Sequence, residues 1–462
     1  MLRNRITGYY DWITIGLYLS LLVIGWLAIY SVSYTQISGM DLLNLENPIT
    51  KQSFYLLVAL LVFGISQAIS EKFWHTFSYL IYAVSLLLLV LVLIVGTEVK
   101  GAKAWFNFGG FSFQPAEFAK FGTALALSSF MTFYKTNLKQ LYFQGISFGI
   151  ILAPVLLILL QPDAGSALTF FSFFILLYLE GLNALYFLSV LLLIAVFILS
   201  FLFPISWILA GLIFLGLIVA WGFAKSFKYK WVLLLFITIL LAGCGIILGI
   251  DKLLILSGIP LLGAVIYLWK SKEEALALVI PVSIGFLWLV SYFSVSFIEK
   301  LEPHQQERIK VWLKPEECDP RGSLYNVLQS KVAIGAGGFA GKGFLEGNMT
   351  KLKFVPEQST DFIFSSIGEE HGFIGSITVV ILFAVLIFRL FTIGERAEKK
   401  FVSSFATCVA GLLLFHVIIN IGMTVGLFPI VGIPLPFISK GGSALIGFSL
   451  MLGVLFKMQS KA

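Results

Sequence analysis

Residues 13–31 read ITIGLYLSLLVIGWLAIYS, a run without one charged side chain. As an α-helix rising 1.5 Å per residue, it would measure about 28 Å, close to the hydrocarbon thickness of a bilayer. It is longer than the h-region of a signal peptide and has no A-x-A exit, so a retained span is expected, with nothing cleaved. Comparable runs lie near 53 to 69, 74 to 96, 116 to 133, 146 to 161, 165 to 181, 184 to 203, 206 to 224, 231 to 249, 253 to 270, 276 to 297, 362 to 389, 402 to 426 and 441 to 457. The 462 residues are 59% hydrophobic and only 12% charged, about half the share of a soluble domain. The predicted fold class is therefore all-α, a single polytopic membrane domain over 1–462 with about 14 transmembrane helices.

The net charge of +7 raises the question of nucleic acid. The basic residues stand singly at span ends rather than in one patch, so membrane topology explains them and no nucleic acid is expected. Lys and Arg divide about sixteen to five in favour of the even-parity connections and the two termini. By the positive-inside rule both termini are expected in the cytoplasm. Cys244 and Cys408 fall in apolar runs and Cys318 stands alone in a polar loop, so no disulfide framework follows.

Two outer connections draw attention. The segment 297–360 is long, mixed in charge and rich in Pro and Gly, the kind of loop that carries chemistry. The loop from Thr97 to Pro115 carries Trp105, Phe106, Phe108, Phe111 and Phe113, expected along the membrane interface. The block 184–274 holds four spans nearly free of polar side chains and reads as an inserted scaffold.

The sharpest constellation is Pro356-Glu357-Gln358-Ser359-Thr360-Asp361, ending the long loop and opening a helix. Ser359 or Thr360 would cap that helix, and an acidic residue in its first turn would suit the dipole. Capping alone accounts for the spacing as well as a general base at Asp361 does. Glu369, Glu370 and His371 follow on the same helix, either as functional intramembrane groups or as a buried ion pair. Glu117 and Lys120 share a face at the start of the fourth span, either as a self-contained salt bridge or as a cationic site for a diphosphate or a partner for Asp361. Asp163 reads as the start of a short helix. Gly335, Gly337, Gly338, Gly341 and Gly343 around Lys342 fit either an anion-binding nest or glycine-requiring turns, and lack the Walker spacing. The run from Gly426 through Pro429, Pro434, Pro436, Ser439 and Lys440 to Ser443 is an irregular outer turn expected to line a cavity.

Gly101 to Trp105, Gln114 to Lys120, Gln161 to Ala167, Gln329 to Gly343, Pro356 to Gly375 and Leu427 to Ala444 fall in an order that resembles the SEDS family (shape, elongation, division and sporulation). Val431-Gly432-Ile433-Pro434-Leu435-Pro436 is more similar to its RodA-type branch than to the FtsW-type. The resemblance implies a peptidoglycan glycosyltransferase of the bacterial inner membrane. Such an enzyme polymerises lipid II, the undecaprenyl-diphosphate-linked disaccharide peptide, with a class B penicillin-binding protein as partner. It matches the family's essential aspartate to Asp361, its outer-loop tryptophan to Trp105, and the acidic and basic residues of its fourth helix to Glu117 and Lys120. Two departures stand out. Four helices are added after the sixth span, and the family's Ser-Tyr-Gly-Gly turn reads Ser439-Lys440-Gly441-Gly442.

On this reading Asp361 takes the proton of an acceptor sugar hydroxyl, which attacks the donor anomeric carbon with inversion. Lys120, Arg308 and Lys342 are the candidates to offset charge on the diphosphate, with Glu357, Glu370, Asp163, Trp105, Ser439 and Lys440 as supporting residues. A divalent cation such as Mg is compatible with a diphosphate, although no ligand cluster demands one. The alternatives are a lipid II transporter using the intramembrane carboxylates, and a scaffold for the penicillin-binding protein.

Overall fold

The computed structural model describes residues 11–34, 47–99, 101–108, 111–133, 136–223, 261–262, 265–266, 274–301, 303–319 and 322–459. The expected spans at 231–249 and most of 253–270 lie outside the described residues. Among the described residues eight helices are long and apolar enough to cross a membrane. The chain divides into two compact units, residues 1–183 with 319–462, and Ala184–Cys318.

The first unit contains α1 (Trp12–Ser33), α2 (Pro48–Ala68), α3 (Glu71–Thr76), α4 (Ser78–Val95), a small sheet, α5 (Pro115–Thr132), α6 (Leu141–Leu159), α7 (Ala164–Thr169) and α8 (Phe173–Leu179). The second contains α9 (Ala184–Leu202), α10 (Ile205–Phe223), α11 (Glu274–Glu299) and α12 (Pro303–Leu313). The first unit resumes with α13 (Ser323–Ala336), α14 (Asn348–Lys351), α15 (Ile363–Arg396), α16 (Lys400–Thr424) and α17 (Gly442–Gln459). The span expected at 165–181 is broken into α7 and α8 by a 3₁₀ turn at Phe170–Ser172. The segment 297–360 is no open loop, since it carries α12, α13 and α14.

Helix α5 lies at the centre of the first unit and buries every residue from Pro115 to Met131 except Phe118. It packs between α4 and α16, and α17 packs along α2. Small residues let these helices approach, as they must where lipid provides no hydrophobic drive between them. A methyl on Gly122 would lie 2.8 Å from Ser85 Oγ on α4, and one on Gly25 would lie 2.3 Å from the Phe437 carbonyl oxygen.

The loop of aromatics is an antiparallel sheet of β1 (Thr97–Val99), β2 (Ala102–Phe108) and β3 (Phe111–Phe113). Thr97 pairs with Trp105, and Phe106 with Phe113. Phe111 packs on Tyr55 of α2 with ring centres 5.4 Å apart, which ties the sheet to the bundle. At the other end of the bundle Asp11 caps α1 and holds Arg389 of α15 at 2.7 Å.

The glycines of 335–343 have a structural task. Helix α15 is interrupted at Gly372, where φ is 61° and ψ −155°. The amides of Lys342 and Gly343 donate to the carbonyls of Glu369 and Glu370 at 3.1 and 2.9 Å. The amides of Phe373 and Ile374 donate to the carbonyls of Gly338 and Phe339 at 2.9 and 3.2 Å. The loop thus replaces the hydrogen bonds the break removes, as backbone inside a membrane requires. It can do so only without side chains, because a methyl on Gly341 would sit 2.2 Å from the Glu370 carbonyl oxygen. The nest reading of these amides is therefore corrected, since protein carbonyls accept from them. Glu369 secures the same splice, accepting from Lys342 Nζ, the amides of Met349 and Thr350, and Thr350 Oγ1 at 2.8 to 3.0 Å.

Gly372→Ala is expected to destabilise the protein by at least about 1–3 kcal/mol, because that backbone conformation belongs essentially to glycine. The added methyl would also meet Gly341 N at 2.3 Å. Thermal unfolding in detergent checks this, and an unchanged midpoint would overturn the splice account.

In the second unit α10 packs against α11, and α11 against α9. Leu192, Val196, Leu199, Phe203, Trp207, Ile208 and Leu212 line an apolar groove of about 380 Å³ there.

Candidate active site

One end of the first unit gathers the N-termini of α2, α5, α15 and α17, the sheet, and the turn 425–441 that joins α16 to α17. Asp361 stands there, two residues before α15. Its backbone is held from both sides. The amides of Thr360, Asp361 and Phe362 all point to the carbonyl of Glu357, at 3.1, 3.1 and 3.3 Å. Three successive carbonyls are each held by a different group. Lys440 N donates to Ser359 O at 2.8 Å, Ser439 Oγ to Thr360 O at 2.6 Å, and Asn420 Nδ2 to Asp361 O at 3.0 Å. Such preorganisation suits a group that must meet a reacting atom without rearrangement.

The sequence expectation of a Ser359 or Thr360 cap is corrected. Phe362 occupies the cap position with no side-chain bond, and Thr360 Oγ1 turns back to Glu357. The polar groups that would have capped α15 instead fix the turn. Gly432 faces the carboxylate, and a methyl on it would lie 3.8 Å from Asp361 Oδ2.

Helix α16 supplies His416 and Asn420, one turn apart on one face and both fully buried. Asn420 Nδ2 also donates to Ile433 O at 2.8 Å, so one amide joins the Asp361 turn to the proline-rich turn. His416 Nδ1 lies 3.2 Å from Pro434 O, and its Nε2 lies 3.0 Å from Lys120 Nζ. A lysine ammonium only donates, so Nε2 accepts and the Nδ1 proton faces Pro434. Lys120 also bonds Glu117 Oε1 at 2.7 Å. A buried chain therefore runs from Glu117 through Lys120 and His416 to the turn that carries Ser439.

Sequence reasoning missed His416 and Asn420. Their signal was present, since two polar side chains four apart in an apolar span must face protein. Lys120 is 1% exposed and enclosed by Glu117 and His416. This corrects the expectation that its amine meets a diphosphate or Asp361 directly. Asp163 caps α7 through Ser166 N at 3.0 Å and accepts from Gln114 Nε2 at 2.8 Å, joining α5 to α7. Lys342 pairs with Glu369, and Glu370 accepts from Ser31 Oγ, so both belong to the helix splice. Trp105 lies half-buried in β2, and Glu357 is exposed. Arg308 lies on α12 in the second unit. Among the described residues no group of three His, Cys, Asp or Glu side chains is placed to hold a metal.

A family model described as cell cycle protein, FtsW/RodA/SpoVE, matches residues 11–213 and 212–462. The peptidoglycan glycosyltransferase RodA of Treponema pallidum is 30% identical over 475 residues, covering 100% of both chains. The peptidoglycan glycosyltransferase MrdB of Escherichia coli is 30% identical, covering 94% of this chain and 90% of its own. Among solved structures, one concerning coordination of polymerization and crosslinking by a peptidoglycan synthase complex matches at a TM-score of 0.60. It shares 26% identity and covers 97% of each chain. The rod shape determining protein RodA of Thermus thermophilus shares the fold at a TM-score of 0.56, with 23% identity and 98% of this chain and 97% of its own covered.

Proposed function

The chain belongs to the FtsW/RodA/SpoVE family of cell cycle proteins, and from that premise we propose that it is a peptidoglycan glycosyltransferase acting at the outer face of the bacterial inner membrane. The observation that carries the reading is the aspartate turn, whose backbone carbonyls at 359, 360 and 361 are each held by a separate donor. The carboxylate of Asp361 accepts the proton of a sugar hydroxyl on an acceptor lipid II. The freed oxygen forms a bond to the anomeric carbon of the donor strand, and the bond to the polyprenyl diphosphate breaks with its electron pair leaving on the phosphate. A single displacement inverts the anomeric configuration. The charge bias across the connections supports cytoplasmic termini, which set Asp361 outside.

A class B penicillin-binding protein is the proposed partner, a reading supported by the structural likeness to a peptidoglycan synthase complex. The transporter alternative finds less support. Glu369 and Glu370 are engaged by the 342–350 loop and Ser31, and serve the break in α15.

The test is polymerisation of purified lipid II by the reconstituted protein, with and without the cognate penicillin-binding protein, alongside lipid II translocation in vesicles. Glycan strands on a gel are the expected result. Translocation without polymer would overturn the reading.

A further inference from the structure

The transfer proposed above releases a diphosphate, yet two of the three basic residues expected to receive it are engaged elsewhere. Lys120 is enclosed by Glu117 and His416, and Lys342 is paired with Glu369. The ammonium groups of Lys440 and Lys51 also stand at the Asp361 end. Lys440 opens the approach to α17 and is tied through its amide to Ser359, two residues before Asp361. Lys51 lies in the first turn of α2, four residues and one turn before Tyr55. The Tyr55 ring packs on Gly442 so closely that a methyl there would lie 2.4 Å from Tyr55 Cε1. That contact sets the register of α2 against the 440–442 turn and brings Lys51 toward Lys440.

Among the described residues neither amine has a hydrogen bond or salt bridge. Burial holds the Lys440 amine below its ordinary pKa, the Lys51 ammonium adds to that, and Glu357 pulls the other way. Glu357 is itself engaged, with Oε2 accepting from Thr360 Oγ1 at 3.2 Å. Two like charges at least half-withdrawn from water repel, and a multivalent anion between them relieves that cost.

We propose that Lys51 and Lys440 form a two-lysine seat for the diphosphate of a polyprenyl-linked substrate, placing its leaving group beside Asp361. The seat rests on the transferase reading for its role, although its ligand chemistry can be tested alone. Lys440 stands where the family pattern has tyrosine, so the second cation is a feature of this chain. Two charges discriminate a diphosphate from a monophosphate in a way that a neutral phenol cannot.

The experiment measures binding of undecaprenyl diphosphate and undecaprenyl monophosphate to the purified full-length protein, with Lys51→Met, Lys440→Met, the double variant and Lys440→Arg. Inorganic diphosphate and phosphatidylglycerol serve as competitors. The parent should prefer the diphosphate. Each Met variant should weaken it about ten-fold, as loss of one charge-assisted hydrogen bond does, and Lys440→Arg should retain it. The double variant should lose the preference for diphosphate over monophosphate, a ratio that a structural role would not move. Equal affinity in parent and double variant overturns the seat, as does a loss confined to phosphatidylglycerol. Diphosphate preference in a parent that makes no polymer would uphold the seat and remove the transferase reading.

Discussion

Asp361→Asn is expected to lower the rate of lipid II polymerisation by about 10²–10⁴-fold, the usual worth of a positioned general base. Asparagine has the same shape and keeps the amide and carbonyl that hold this turn. Asn420 and Glu357 bond the backbone of residue 361. The loss should therefore appear in the rate with little change in thermal stability. Asp361→Glu moves the carboxylate by one methylene while the backbone stays fixed by Asn420, so it should also be slow. Equal polymer from parent and Asp361→Asn would remove the aspartate from the chemistry. A loss that follows unfolding would assign it to structure alone.

The contrast between legible and hidden parts is clearest along α15 and α16. Hydropathy marks both as spans because their windows are long and apolar. It leaves no trace of the break at Gly372, since one glycine at positive φ barely alters an eighteen-residue average. The repair of that break lies some thirty residues upstream in 338–343, a pairing that only tertiary structure brings together. The helices α12 and α13 were hidden for other reasons, α12 because its polar composition resembles that of a loop and α13 because its 14 residues are too few for a span. The three-residue strands β1 and β3 are too short for an alternation to register. Glu117 with Lys120 was readable because helical spacing alone places them on one face. That His416 would close their site from another helix was not.

Within that closed site, Lys120→Met is expected to cost about 3–5 kcal/mol of stability, because it strands the Glu117 carboxylate in the core of the bundle. Glu117 is 2% exposed, and its Oε2 already has no hydrogen-bond partner. Glu117→Gln combined with Lys120→Met removes both charges and should recover most of the loss, as replacing a whole buried ion pair commonly does. Activity should not recover with stability. Without the Lys120 ammonium, His416 Nε2 loses its donor, and only the 3.2 Å bond from Nδ1–H to Pro434 O is left to orient the ring. Pro434 belongs to the turn whose Ser439 holds Thr360 beside the proposed base, so loosening it reaches the aspartate through two links. The double variant is therefore expected to unfold near the parent's midpoint yet polymerise about ten-fold more slowly, since one hydrogen bond worth about 1.4 kcal/mol to the transition-state geometry gives that factor. Full recovery of rate along with stability would make the Glu117–Lys120 pair a packing device with no hold on the reaction.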